Sequence, residues 1–335
     1  EVLLSGAFLL LAQHQDDQAE TFLLQLMRGA GPKGLSAMPV FSAWGSGYKC
    51  RPLLGYSRAE LEAYAQVHGL SWVEDLSNQS TDYDRNYLRH KVLPILKERW
   101  SGVESVISRS AHLCAESDSL LEELAATDLE AARDGHKSLE IASLLSLSPA
   151  RRKNLIRFWI KQLGMPVPGY QAVNRIDEEL LFARDDAQPR VEWQQFEARR
   201  YRDRLYVLSR ESTLPELNVP WEITHRLPIP GLGILQAELR EGPGLSLKKL
   251  GGRPLSVCFR QGGESILPAG DSHTRPLQKL LQREAVPPWV RERIPLVFAE
   301  NELVAVVGFW YAAAFYSEKS EVNLHINLIS NFQIE

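Results

Sequence analysis

Apolar residues recur along this chain with two different periods, and the change from one to the other marks out its parts. Phe8-Leu9-Leu10-Leu11-Ala12 is a short unbroken apolar run, the pattern of a strand buried in a parallel sheet. A polar stretch follows, and then Ala19, Phe22, Leu23, Leu26 and Met27 recur at three- and four-residue steps. That spacing predicts a helix from about Gln18 to Arg28, stopped by Gly29 and Gly31. Ser57 and Glu60 stand at capping-box positions for a second helix, expected to bury Leu61, Tyr64 and Ala65 and to end at Gly69. Ser71 to Glu74 reads as another short strand. Alternating strands and helices make residues 1–102 an α/β domain.

From Val103 the helical period dominates. Val106, Ile107, Ser110, Leu113, Cys114, Ser117, Leu120, Leu121 and Leu124 predict one long amphipathic helix ending near Gly135. Ser148-Pro149 opens another, closed by Gly164 and Pro166, and a third runs from about Gln171 to Arg184. Val191 to Leu208 reads as paired strands turning at Arg202-Asp203. Residues 103–212 therefore form a mostly helical domain with a terminal hairpin. The proline-containing stretch Glu211 to Pro220 places a linker at 213–222. Residues 223–335 form a small α+β domain, with a helix from Leu277 to Glu284 and a hairpin of Leu296–Ala299 with Leu303–Gly308 turning at Glu300-Asn301.

Composition narrows the class. The 335 residues carry 38 Lys+Arg against 42 Asp+Glu, a net charge of −4, and 44% are hydrophobic. Those values exclude disordered and collagen-like chains. The three cysteines, Cys50, Cys114 and Cys258, lie far apart with no C-x-x-C pair, so neither a disulfide framework nor a cysteine zinc site is expected. No apolar run approaches the ~20 residues of a membrane-spanning helix. The expectation is a soluble, cytoplasmic protein without a membrane partner. The chain opens on Glu1 and leads at once into a buried-looking strand, so a further N-terminal piece is expected upstream.

Candidate chemistry gathers after the first strand, where ligands of open α/β sheets bind. Asp17 and Glu20 are three apart across a helical turn, so their carboxylates can converge. Paired carboxylates suit Mg²⁺ together with substrate phosphates. They equally suit plain capping, with Asp17 as N-cap and Glu20 closing the box. Arg28, in Met27-Arg28-Gly29-Ala30-Gly31, is either a favourable C-terminal charge or a phosphate contact from a glycine loop. Arg51 precedes Pro52 in an extended conformation and could serve a salt bridge or a ligand. Arg85 and Arg89 share a helical face beside His90 and Lys91, either as a solvated helix start or as anion contacts. Residues 251–295 hold seven Lys+Arg against four acids, an excess of three positive charges. Within them Arg275, Lys279 and Arg283 follow at four-residue steps, a stripe suited to phosphates.

Taken together, in order and spacing, these motifs resemble the bacterial tRNA(Ile)-lysidine synthetase family. The resemblance rests on His14-x-Asp16-Asp17-Gln18-x-Glu20-Thr21, Arg28-Gly29, Gly34-Leu35 and Arg51-Pro52-Leu53-Leu54. It continues through Trp72-x-Glu74-Asp75-x-Ser77-Asn78, Asp84-Arg85-Asn86-x-x-Arg89, Pro94, Val286-Pro287-Pro288-Trp289-x-Arg291 and Pro295-Leu296. It implies a partial PP-loop α/β domain (Rossmann-like, of the adenine nucleotide alpha hydrolase type), a helical substrate-binding domain and a C-terminal tRNA-binding domain. The implied activity is a ligase reaction with ATP and Mg²⁺ as cofactors. Its implied partners are the isoleucine tRNA with a CAU anticodon and free L-lysine. ATP adenylates the C2 carbonyl oxygen of the wobble cytidine, and the lysine ε-amine then attacks C2 and displaces AMP, so that AUA is read in place of AUG. Asp17, Glu20, Arg28 and Arg51 match catalytic positions, and Asp17 and Glu20 also match the metal positions. His14 and Asp16 match the nucleotide side; Arg85, Asn86, Arg89, Arg275, Lys279 and Arg283 are the expected nucleic-acid contacts. Oligomeric state is left open, a homodimer included.

One departure stands out. The family's phosphate loop, S-G-G-x-D-S, is absent from these residues: Ser5-Gly6-Ala7-Phe8-Leu9 only imitates its start, and Gln261-Gly262-Gly263-Glu264-Ser265 falls in another domain. That loop supplies backbone N–H groups to phosphates. The chain as it stands is therefore expected to need an upstream segment for turnover. A non-catalytic tRNA-binding remnant, or another PP-loop tRNA-modifying enzyme such as a thiolase, are the alternatives; a thiolase would be expected to show the cysteine pairs this chain lacks.

Overall fold

The computed structural model describes residues 5–73, 80–132, 138–184, 187, 189–210, 217–229, 231–318 and 322–329. The chain divides into two compact units. The first comprises residues up to Ala131 with Asn154–Trp159, and the second comprises Ala132–Lys153 with the residues from Ile160 onward.

In the first unit, β1 (Phe8–Leu10) lies parallel to a later strand, as its apolar run predicts. Helix α1 (Gln15–Met27) follows, then the short α2 (Pro32–Leu35). A hairpin of β2 (Phe41–Trp44) and β3 (Gly47–Cys50) completes a sheet in the order β1-β3-β2. This hairpin was not expected, although its signal is present in the sequence: aromatic residues flank a two-residue turn at Gly45-Ser46, with Gly45 at a φ of +58°. Phe8 and Leu10 are exposed, and Phe8 joins Phe41 and Tyr48 in an aromatic patch with centroids 4.9–6.0 Å apart. The strand is thus parallel but not buried. Helix α3 (Arg58–Val67) has the expected Ser57/Glu60 capping box, yet it buries no residue fully. Tyr64 faces outward and stacks on His68 at 4.0 Å, where a buried position was expected. Residues 71–73 carry no strand, and Glu74, Asp75, Leu76, Ser77 and Asn78 lie outside the described residues.

Helix α4 (Asp84–Tyr87) runs through a wide π turn at Leu88–Val92 into α5 (Leu93–Arg99), and α6 (Val103–Ala132) is the long helix its period predicts. Leu23, Leu88 and Leu93 form a small core against Phe22, Val92, Leu96 and Ile107. This core fastens α1 to the α4–α5 segment and so sets which residues meet at their ends.

The second unit begins with β4 (Ser138–Glu140) and α7 (Ile141–Ser146). Helix α8 (Pro149–Gln162) has its middle turns in the first unit. The expected third helix is α9 (Tyr170–Arg175), which widens into a π turn at Ile176–Leu180. Strands β5 (Arg190–Trp193), β6 (Phe196–Tyr201) and β7 (Arg204–Ser209) join β4 in an antiparallel sheet ordered β4-β7-β6-β5, turning at Arg202-Asp203 as expected. The Arg152 guanidinium donates to Asp177 at 2.6 Å and to the Leu147 carbonyl at 3.1 Å, a buried ion pair that fixes α8 to the π turn.

The remaining strands are β8 (Asn218–Trp221), β9 (Leu227–Ile229), β10 (Gly233–Glu241), β11 (Gly244–Leu245), β12 (Leu255–Phe259), β13 (Ser265–Ile266) and β14 (Arg275–Pro276). They are followed by β15 (Pro295–Ala299), β16 (Glu302–Val306), β17 (Trp310–Tyr311), β18 (Tyr316–Ser317) and β19 (Val322–Ile329). Two five-stranded sheets, β18-β11-β19-β10-β9 and β17-β16-β15-β12-β8, share one core that includes Leu235, Leu324, Val257, Leu296 and Val304. Helices α10 (Leu247–Leu250), α11 (Leu277–Arg283) and α12 (Pro288–Arg291) complete the unit. α11 presents Leu277, Leu280 and Leu281 to that core, which leaves Lys279 and Arg283 outside.

Candidate active site

The polar stretch after β1 becomes the start of α1. The helix opens three residues earlier than its apolar period indicates, because His14 is extended (φ −125°, ψ −174°) and serves as N-cap. The Asp17 carboxylate accepts the His14 backbone N–H at 3.0 Å, so the box is His14 with Asp17 and leaves Glu20 out. The capping account of Asp17 as N-cap with Glu20 as its partner is therefore corrected. Asp16 and Asp17 occupy the first turn, where the helix dipole favours negative charge.

Glu20 has another use. Its side chain is 1% exposed, and both its oxygens accept from arginines. Arg85 Nε donates to Oε2 at 2.7 Å; Arg89 donates Nε to Oε1 at 2.6 Å and Nη2 to Oε2 at 2.9 Å. Asp17 Oδ1 accepts from Arg85 Nη2 at 2.9 Å and from Arg89 Nη2 at 3.1 Å. Two carboxylates one helical turn apart thus face two guanidiniums one helical turn apart. The hydrogen bond to Glu20 holds the Arg89 guanidinium protonated beyond its ordinary range, although burial acts the other way. The spacing arguments for both pairs hold, and each pair's partner is the other.

The expected site residues distribute unevenly around this cluster. His14 lies beside it, with Nε2 3.4 Å from Asp17 and Nδ1 3.8 Å from Asp16, the latter nitrogen buried without a hydrogen-bond partner among the described residues. Asp16 accepts the backbone N–H of Arg58 at 3.0 Å and stands 3.9 Å from Lys97, which also pairs with Glu104. It thereby joins the starts of α1 and α3. Arg51 donates Nε to Gln13 at 2.5 Å and Nη1 to the Pro39 carbonyl at 2.9 Å, which places it at the same end of α1. Asn86 donates to the Ser80 carbonyl at 2.8 Å. Arg28 is exposed at the opposite end of α1, roughly 16 Å along the axis from Asp17 at 1.5 Å per residue. Arg275, Lys279 and Arg283 are exposed in the second unit, with Arg275 3.1 Å from Asp271 and Arg283 3.2 Å from Glu284.

Sequence reasoning assigned no role to Gln18. Its buried amide donates to the Met38 carbonyl at 2.7 Å and accepts the Met38 N–H at 2.9 Å. That two-way bond, with Arg51 on Pro39, fixes the segment beside the site. The only signal was its place in the Asp-Asp-Gln run.

A divalent cation does not suit the pair as arranged. Three of the four oxygens accept from guanidiniums and the fourth from a backbone N–H, so a cation would have to displace an arginine. Among the described residues, no three His, Cys, Asp or Glu groups gather as a metal cage.

Three family matches fall on the chain: the PP-loop domain on residues 2–96, the TilS substrate binding domain on 139–206, and the TilS substrate C-terminal domain on 255–328. The tRNA(Ile)-lysidine synthase of Serratia proteamaculans is 44% identical over 310 residues, which cover 91% of this chain and 70% of that protein. The tRNA(Ile)-lysidine synthase of Coxiella burnetii is 43% identical over 96% of this chain and 72% of its own length. The chain belongs to the tRNA(Ile)-lysidine synthase family. That of Xanthomonas campestris is 41% identical over 90% of this chain and 68% of its own. As a member of this family the chain is a ligase with an ATP-using PP-loop domain, and the α1 cluster lies within that domain. Among the described residues no helix is long and apolar enough to cross a membrane.

Proposed function

We propose that this protein ligates free L-lysine to C2 of the wobble cytidine of the CAU-anticodon isoleucine tRNA, with ATP as the activating cosubstrate. The observation that carries the reading is the Asp17–Glu20–Arg85–Arg89 cluster at the end of β1, inside the matched PP-loop domain. ATP adenylates the C2 oxygen and releases pyrophosphate. The ε-amine then forms the C2–N bond as the C2–O bond breaks, AMP leaves with the oxygen, and one proton is lost.

The cluster suits both halves. Two guanidiniums against two carboxylates are formally neutral, so the site admits a polyanion without the repulsion of a bare acidic pair. Planar guanidiniums bind phosphate oxygens bidentately. An arriving phosphate that draws off one arginine frees a carboxylate oxygen, which takes a proton from the lysine ε-ammonium and so gives the neutral amine that attacks C2. Arg51, at the same end of α1, adds a cation near the phosphates. Mg²⁺, where it accompanies ATP, would supply counter-charge to the phosphates. Asn86 and the Arg275–Lys279–Arg283 surface contribute tRNA contacts in this reading, and Arg28 one from the far end of α1.

The test is incubation of the full-length protein with ATP, Mg²⁺, labelled lysine and the isoleucine tRNA. Label is expected in the tRNA, with one AMP formed per lysine. Glu20→Gln should abolish incorporation while tRNA binding persists. Wild-type protein that binds this tRNA yet leaves it unlabelled would overturn the assignment.

A further inference from the structure

The motif Val286-Pro287-Pro288-Trp289-x-Arg291 has no part in the cluster above, and the structure places it beside a cleft within the second unit. The cleft has a volume of about 170 Å³ and is lined by Pro189, Arg190, Arg199, Arg200 and Trp289. Ligand pockets that enclose a drug-sized molecule run to roughly 300–1,000 Å³. This one suits a single small group.

Its chemistry is cationic and its walls are fixed. Arg199 lies over the Trp289 ring with its guanidinium carbon 5.4 Å from the centroid. Trp289 is in turn held edgewise by Tyr201 and Tyr206 at 6.0 and 5.4 Å. Arg291, two residues on, anchors α12 by donating to the Tyr201 hydroxyl at 2.8 Å and to the Val286 carbonyl at 2.7 Å. Arg200 is pinned by the carbonyls of Leu181 and Arg202, each at 2.8 Å. Among the described residues, Arg190 and Arg210 share Glu192 at 3.3 and 3.1 Å, and Arg199 takes Glu197 at 2.8 Å. Arg199 Nε is buried without an acceptor among the described residues, and the Arg190 side chain is 62% exposed at the rim. An aromatic platform that pre-orients a guanidinium is an arrangement for phosphate, because the planar fork then loses little freedom on binding.

We propose that the Arg190–Arg199–Trp289 cleft is a phosphate subsite that captures one backbone phosphate of the bound RNA. Its residues are other than Arg275, Lys279 and Arg283, and the proposal rests on the tRNA reading given above. Arg190 and Arg199 supply the hydrogen-bond donors, and Trp289 is a positioning residue that keeps Arg199 in place. RNA is favoured over a free nucleotide because the volume holds one phosphate group and leaves no enclosed room for a base and sugar.

The experiment is a salt titration of tRNA binding by the full-length protein, alongside lysine incorporation. Arg190→Gln should weaken binding about tenfold, as for loss of one charge-assisted hydrogen bond. It should also reduce the slope of log K against log salt by about 0.7–0.9, the value for one lost phosphate contact. KM for tRNA should rise while kcat stays near wild type. Trp289→Leu carries no charge change, so a matching loss of affinity would report on the platform; Trp289→Phe should restore most of it. Arg226→Gln, exposed elsewhere in the same unit, controls for general charge and should leave the affinity near wild type. Wild-type slope and affinity in both Arg190→Gln and Trp289→Leu, in a protein that binds and modifies tRNA, would overturn the subsite and leave the proposed function standing. The RNA assignment would also fall if these variants lost affinity for AMP or inorganic phosphate with unchanged tRNA binding. Absence of tRNA binding by the wild type would fail the functional reading itself.

Discussion

Glu20→Gln is the most informative single change in the first unit, because it keeps the shape of the side chain while removing its charge and one acceptor. Glu20 accepts three charge-assisted hydrogen bonds at 2.6–2.9 Å from a position 1% exposed. Removing one partner of a fully buried ion pair costs about 3–5 kcal/mol. Here Arg85 and Arg89 keep 38% and 23% exposure, so water recovers part of their hydration, and the expected loss falls to about 2 kcal/mol. Gln also turns an NH₂ group toward a guanidinium, donor against donor, in place of an acceptor. Native-state hydrogen exchange along α1 is the appropriate assay. A chain of two units need not unfold in one step, whereas exchange reads the local opening of this helix. The amides of α1 around Leu23 should exchange about 30-fold faster, the equivalent of that 2 kcal/mol. A double-mutant cycle with Arg89→Gln should show a favourable coupling of roughly 1.5–3 kcal/mol, the range for hydrogen bonds to charged groups. Unchanged protection in Glu20→Gln, or a coupling within 0.3 kcal/mol of zero, the scatter of independent sites, would refute the view that this cluster holds α1 to α4.

Other consequences can be checked separately. Arg152→Met leaves Asp177 buried without its cation and should destabilise the second unit by about 3–5 kcal/mol, whereas Arg152→Met with Asp177→Leu should recover most of the loss in a denaturant titration. Gln18→Leu removes both bonds to Met38 and should raise the hydrogen-exchange rate of the Met38 amide; equal rates would show that the 36–40 segment is held by other contacts. Glu264 is pushed up by burial, but the Gln261 and Gly262 N–H groups and Arg260 outweigh this and leave its pKa below the usual 4.5. A depressed carboxylate contributes stability that is present above the unfolded value and lost as pH falls through the folded one. The melting temperature of the second unit should therefore drop below about pH 4.5, and Glu264→Gln should make that drop shallower. An unaltered acid limb in the variant would assign the drop to other carboxylates.

Features governed by neighbours in the chain were legible without coordinates. The Ser57/Glu60 cap, the long helix Val103–Ala132, the turn at Arg202-Asp203 and the inward leucines of α11 all follow from local period and capping, which depend on a few adjacent residues. The spacing of Asp17 with Glu20 and of Arg85 with Arg89 likewise placed each pair on one helical face. Their joining could not be read this way, since Arg85 and Glu20 stand 65 residues apart and are brought together where Leu23, Leu88 and Leu93 pack. The separation of Arg28 from the cluster, by contrast, follows from the sequence, because Arg28 stands at the end of the predicted helix and a straight helix carries it away from Asp17. The exposure of Phe8 and Leu10 also lay beyond the sequence, because an apolar run states what a strand can bury, and only its neighbours decide what is covered. Trp289 belongs with these cases. The sequence marked its motif, but the cleft exists through its contacts with Arg199, Tyr201 and Tyr206, more than eighty residues earlier in the chain.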